Sequence, residues 1–183
     1  MPAGALRHPP GILAPQDPVQ VTLSGAEPWS RGPYQITPLA RFEIAARVLA
    51  KKRYRSDREA DLSNYDLALG WGPMSDQCVL DELKISQGDR WYRYRYSSPP
   101  IPQGEITRHS ANMHIIAGNA QVTATLAAVV PGQVVEISGY LIMARAQDGW
   151  VWTSSLTRSD AGAHSCEVVW AEKLTIRDVR RPI

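Results

Sequence analysis

The sequence predicts a mainly β protein with one or two short helices, folded as a small OB-like or related β-barrel. Three observations predict it. Residues 131–157, PGQVVEISGYLIMARAQDGWVWTSSLT, read as two strands joined by a polar turn. A glycine, Gly139, sits at the centre of the first strand, where a bend, a bulge or close backbone approach is expected. A short alanine-containing run headed by Asn119 precedes the pair, so that strands, a helix and two more strands follow in the order of an OB-like barrel.

In the first strand of that pair, Val135, Ile137, Gly139, Leu141 and Met143 share one face, and Val134, Glu136, Ser138, Tyr140 and Ile142 the other. This period of two suits a strand with one face in a core. Gln147-Asp148-Gly149 supplies turn chemistry. On the return strand Trp150 and Trp152 fall on one side, where they either close a small core or line a binding surface.

Residues 1–38 form an extended arm rich in Pro and Gly, 39–176 a single β-barrel-like domain, and 177–183 a basic tail. Within the arm, prolines remove backbone donors and restrict their neighbours. Only VQVTL, residues 19–23, has the pattern of an edge strand. Residues 39–50 fit two periods. Phe42, Ile44, Ala46 and Val48 alternate as in a strand, whereas Phe42, Ala45, Ala46 and Leu49 fit a helix. The barrel needs a first strand, and a long strand is predicted. Lys51, Lys52, Arg53, Arg55 and Arg58 then cluster around Tyr54, either as a solvated loop or as a contact for phosphate or lipid headgroups.

Gly70-Trp71-Gly72-Pro73 reads as a tight turn that presents or buries an indole, and Asp76 as the cap of a short helix through Leu83. In WYRYRYSS, residues 91–98, Tyr92, Tyr94 and Tyr96 form one strand face, opposite Trp91, Arg93 and Arg95. Such a ladder suits stacked bases and phosphates, a protein interface, or a cation–π sheet surface. The prolines of SSPPIPQGE end it in a stiff connection. Asn119 caps a helix of two to three turns with Val122, Leu126 and Val129 or Val130 inward. RSDAGAHS, residues 158–165, is a polar loop, and SCEVVWAEKLTI, residues 165–176, supplies the last strand or strand pair.

The composition bounds the function. The 183 residues suffice for a hydrophobic core, and with 44% hydrophobic and 21% charged residues the chain is an ordinary globular one. The formal charge of +2 does not by itself argue for nucleic acid. Six tryptophans and seven tyrosines against one phenylalanine favour half-buried strand faces and interfaces. No apolar run reaches the roughly 20 residues that cross a bilayer. Cys78 and Cys166 permit one long-range disulfide or two buried thiols.

Catalytic and metal signatures are weak. Ser75 with Asp76, and His109 with Ser110 or Ser155, are the available hydrolase pairs, and neither sits in a nucleophile-elbow motif. His109 and His114 are five apart and share no strand face, so a metal site would need His164, Cys166 or a carboxylate in addition. No metal, cofactor or catalytic residue is assigned. The binding surface is assigned to Tyr92, Arg93, Tyr94, Arg95, Tyr96, Trp71, Trp150 and Trp152.

The blocks YDLALGWGPMSD, HSANMHII, GQVVEISGYLI and DGWVWTSSLTRSDAG, with CEVVW beyond, resemble a group of uncharacterised bacterial proteins over roughly residues 9–176. The resemblance implies one N-terminal membrane-spanning segment ahead of the HPPG stretch, residues 8–11. It implies an inner-membrane tether with the soluble domain extracytoplasmic, in the periplasm, which would favour a Cys78–Cys166 bridge; a cytoplasmic domain is the alternative. It brings no activity. The expectation is therefore a non-catalytic, membrane-tethered envelope domain that binds a protein partner or other ligand through a Tyr/Trp/Arg-rich β surface. A single-stranded nucleic-acid-binding module and a hydrolase are the alternatives.

Overall fold

The computed structural model describes residue 2, residues 4–157 and residues 166–177. The polar loop predicted over 158–165, with His164, and the tail beyond Arg177 lie outside the described residues. In chain order the strands are β1 (Val19–Thr22), β2 (Trp29–Arg31), β3 (Tyr34–Arg53), β4 (Tyr65–Gly70), β5 (Lys84–Gly88), β6 (Trp91–Arg95), β7 (Ser110–Ala117), β8 (Val134–Ala146), β9 (Val151–Thr153) and β10 (Glu167–Arg177). The helices are α1 (Gln77–Asp81), α2 (Gln103–Arg108) and α3 (Ala120–Ala128), with 3-10 turns at Arg58–Asp61 and Gly72–Ser75.

Five strands close a ring in the order β3, β4, β7, β10, β8 and back to β3. Every pairing is antiparallel except β7 with β10. Taking the five as first to fifth in sequence, the third lies parallel to the fifth and α3 links the third to the fourth, which is the OB-like barrel expected. The long strand predicted over 39–50 is present and begins earlier, at Tyr34. Its Phe42, Ile44, Ala46 and Val48 are buried inside the barrel with Leu67, Leu69, Met113, Ile115, Val135, Ile137 and Leu141. Partners on both sides settle the choice against helix. β8 pairs along one side, and β1 and then β4 along the other, so tertiary pairing outweighs the helix preference of the alanines.

Gly139 marks a close approach of two backbones. A Cβ there would lie 1.9 Å from the Trp170 carbonyl oxygen of β10, opposite a bulge between Ala171 and Lys173. Asn119 caps α3 by accepting from Val122 N at 2.9 Å, and Val122, Leu126 and Val129 are buried while Val130 is exposed. Asp76 caps α1 by accepting from Cys78 N. The helix α2 was not legible, because the prolines before it read only as a connection. Pro102 immediately precedes its first turn, a position that tolerates a missing donor.

The arm is docked. Residues 19–22 form the edge strand β1, and residues 29–31 add β2 to the outer end of β3. Upstream, Ser75 Oγ accepts from Leu13 N and Ala14 N, Asp76 Oδ1 from Gly11 N, and Gln77 Oε1 from His8 N. The buried Arg47 of β3 donates to Leu6 O, Ser75 O and Gln77 Oε1. Burial lowers its pKa to about 10, so the guanidinium stays charged at neutral pH.

Two further apolar clusters lie outside the barrel. One gathers Tyr34, Ile36, Leu62, Ile116, Ile142 and Val168 beneath half-buried Trp29, Tyr140, Trp150, Trp152 and Trp170. The other places Leu49, Met74, Leu80, Leu83 and Ile106 beneath β5–β6, which is a hairpin separate from the main sheet.

Candidate functional site

The tyrosine ladder alternates as predicted, but its face is turned inward. Tyr92, Tyr94 and Tyr96 pack on the apolar cluster beneath the hairpin, with ring centroids 5.7 and 6.2 Å apart along the row. Tyr92 donates to Ser110 Oγ at 3.3 Å, and burial pushes its pKa up. Arg93 and Arg95 face solvent on the opposite side. The tyrosines are thus half-buried against the hairpin's own cluster: alternation shows which residues share a face, and the neighbouring core with Ile106 of α2 lies under the apolar one. The assignment of Trp71 to a binding surface is corrected. It is 2% exposed, part of the barrel core, and donates from Nε1 to Asp17 at 3.0 Å.

Trp150 and Trp152 are both half-buried and lie 6.1 Å apart. Trp150 meets Tyr34 at 5.6 Å and carries the Arg58 guanidinium 4.8 Å above its ring. Asp148 holds that guanidinium through both carboxylate oxygens. Trp152 lies against His114 at 5.0 Å. The two indoles therefore close an apolar cluster and keep a partly open side.

Beside them is an aromatic and guanidinium belt that sequence reading missed. Trp29 lies 5.1 Å from Trp170 and 5.8 Å from Tyr140. Arg41 stands 4.5 Å over Tyr140 and Arg31 5.6 Å over Trp170. Cross-strand register creates the row, since Arg41 is directly opposite Tyr140 and Tyr140 directly opposite Trp170. The available signal was Tyr140 on the outward face of β8. Its neighbours come from an arm segment and the last strand, which only the sheet brings together.

The outer face of β4–β7 carries a buried polar cluster. Asp66, Asn112 and His114 are 0%, 5% and 4% exposed; the tip of the β5–β6 hairpin bonds to Asp66 and Asn112, and Trp152 lies against His114. Arg90 at that tip donates to Asp66 at 2.7 Å and to both oxygens of Asp57, and stands 4.0 Å over the Tyr54 ring. Burial opposes its charge, yet the Asp57 and Asp66 carboxylates outweigh burial and raise its pKa. In return the Arg90 guanidinium holds the Asp57 carboxyl below its ordinary range. Asn112 accepts from Gln87 and donates to Asp66 and to the Arg90 carbonyl. His114 Nδ1 lies 2.9 Å from Asp66 Oδ1, but makes no hydrogen bond among the described residues.

The hydrolase pairs are engaged elsewhere. Ser75 Oγ donates to Gly72 O while it accepts the arm, and Ser110 Oγ donates to Ile106 O. Ser155 Oγ donates to Thr157 O. His109 Nδ1 sits 2.9 Å from Glu105 O, and its Nε2 lies 3.8 Å from Asp17. The basic cluster is largely spent on structure, with Lys51 Nζ donating to Ala127 O and Val129 O at the end of α3.

The Cys78–Cys166 disulfide is also corrected. Both residues are thiols, Cys78 exposed on α1 and Cys166 at the entry to β10 with Sγ 3.9 Å from Arg90 O. Cys78, on α1, and Cys166, just before β10, are not close enough to bond. Among the described residues no group of three or more His, Cys, Asp or Glu side chains is placed to hold a metal ion. Comparison of the chain with family models, with curated proteins and with solved structures gives no match.

Proposed function

We propose that the chain is a non-catalytic binding domain of the bacterial cell envelope, tethered to the inner membrane, that recognises a protein partner through the belt of Trp29, Arg31, Arg41, Tyr140 and Trp170. The observation that carries this reading is the row Arg41–Tyr140–Trp170 with Trp29 packed across it. Its rings are half-buried and packed against one another, and guanidinium groups cover part of their faces. Trp, Tyr and Arg dominate binding hot spots because they bring large contact area at a modest cost in side-chain entropy. Trp150, Trp152 and Arg58 extend the same half-buried aromatic surface. The envelope location rests on the resemblance of the HPPG and later blocks alone, since the thiols provide no bridge in its support.

Single-stranded nucleic acid is the weaker reading. In an OB-type barrel the face of the second and third strands receives the ligand, and here the β5–β6 hairpin lies over it. A hydrolase is weaker again, with the Ser75 and Ser110 hydroxyls committed to backbone groups. The test is pull-down of the tagged full-length protein from native membranes. Arg31→Glu with Arg41→Glu is expected to remove a partner that the wild type retains, while Arg93→Glu with Arg95→Glu leaves it bound. Loss only with the second pair would move the surface to the hairpin and overturn the assignment.

A further inference from the structure

We propose that Tyr54, Asp57 and Asp66 form a guanidinium-binding site, filled in this structure by the chain's own Arg90, and that a guanidinium group from outside the chain displaces the hairpin that carries it. This goes beyond the belt and concerns a different face of the barrel.

The site recognises each property of a guanidinium. Two carboxylates match its charge and fork, with Asp57 taking two donors and Asp66 a third. The Tyr54 ring lies under its plane at 4.0 Å. Asn112 binds the Arg90 backbone carbonyl rather than the guanidinium, and so fixes the tip. An ammonium ion, lacking the planar fork, would use this geometry poorly.

The covering element is held to the barrel by side chains, chiefly those around Arg90. The hairpin shares no backbone ladder with the main sheet. Its two-residue turn puts Asp89 and Arg90 at φ 54° and 63°, the left-handed region that side-chain-bearing residues rarely adopt. One buried polar atom at the contact, Gln87 Oε1, has no hydrogen-bond partner among the described residues. Burying polar groups without partners costs free energy that lifting the hairpin would recover in water.

The test uses the full chain and two probes, N-methylguanidinium and a blocked Gly-Arg-Gly peptide, with methylammonium and the Gly-Lys-Gly peptide as controls. In Arg90→Ala, millimolar methylguanidinium is expected to raise the thermal midpoint while methylammonium does not, and adding Asp66→Asn should abolish the rise. No rise, or an equal rise with methylammonium or in the double variant, overturns the site. Hydrogen exchange in the wild type tests displacement. Amides of residues 84–95 should exchange at least about tenfold faster than those of β4 and β7, as expected of a sub-global opening, and faster still with the arginine peptide than with the lysine one. Exchange at the barrel's own rate, or no response to the arginine peptide, overturns displacement. Should Arg90→Ala not fold, Arg90→Lys keeps the charge without the fork; its hairpin should exchange faster than in the wild type, and unchanged exchange overturns the proposal. If methylguanidinium acts on Arg90→Ala and the peptide does not act on the wild type, the guanidinium site stands and its displacement by an arginine held in a chain is overturned.

Discussion

Arg47 is a long cationic side chain in the middle of a barrel strand, and its partners explain its tolerance there. It is 0% exposed, yet it faces the carbonyls of Leu6 and Ser75 and the Gln77 side chain, with Asp76 and Asp81 nearby to offset its charge. Arg47→Met keeps the volume and removes the donors. Left without donors, the Leu6 and Ser75 carbonyls should lower stability by about 1–3 kcal/mol and release the arm. Limited trypsin digestion should then cut after Arg7 faster than in the wild type, with the barrel intact; an unchanged cleavage rate would contradict this role. Individual polar residues of this kind were the least legible part of the sequence. Ser75 and Asp76 read as a hydrolase pair or, for Asp76, a helix cap, and only the docked arm shows what their oxygen atoms and that of Gln77 accept. Trp71 and the tyrosines of β6 illustrate the same limit, because a strand pattern shows which residues share a face and says nothing of which face is covered.

Among the elements, β8 and its glycine were legible from sequence, and the hairpin was not. Gly139 stood out because nothing else in an alternating strand would omit a side chain, and the cause proved to be the Trp170 carbonyl. Gly139→Ala must part β8 from β10 and should cost at least about 1–3 kcal/mol. Gly88→Ala, whose Cβ would meet nothing within 4 Å, should leave thermal stability nearly unchanged. Comparable losses at both positions would contradict the close approach. The hairpin's role was hidden because Arg90 looks like any turn residue until Asp57 and Asp66 meet it across the fold. Its attachment has a definite pH dependence. The Asp57 carboxyl is held below its ordinary value of 3.8, so folding favours its ionised form. That stabilisation is complete above the unfolded value and is lost as pH falls through the lower folded one. Hydrogen exchange of residues 84–95, corrected for intrinsic rate, should be flat from neutral pH to about pH 5 and rise below about pH 4. Asp57→Asn should remove the acid-dependent step, and its persistence in that variant would assign the step elsewhere.

For the whole molecule, element order carried the fold. A bent strand, a capped helix and regular alternation sufficed for an OB-like barrel, since these are local signals. The binding surface depends on register between distant segments. Trp29, Tyr140 and Trp170 come from β2, β8 and β10 and become neighbours only when β3 and β10 flank β8. The same closure leaves the barrel with one face under the hairpin and another edged by half-buried rings and arginines. The proposed partner docks on that second face. In-cell photo-crosslinking from a photoreactive residue placed at position 31, compared with one at position 93 on the exposed side of the hairpin, decides this. A discrete crosslinked protein species is expected from position 31, lost when Trp170→Ala is added, and none from position 93. Crosslinking from position 93 alone, or a species at position 31 that survives Trp170→Ala, would contradict it.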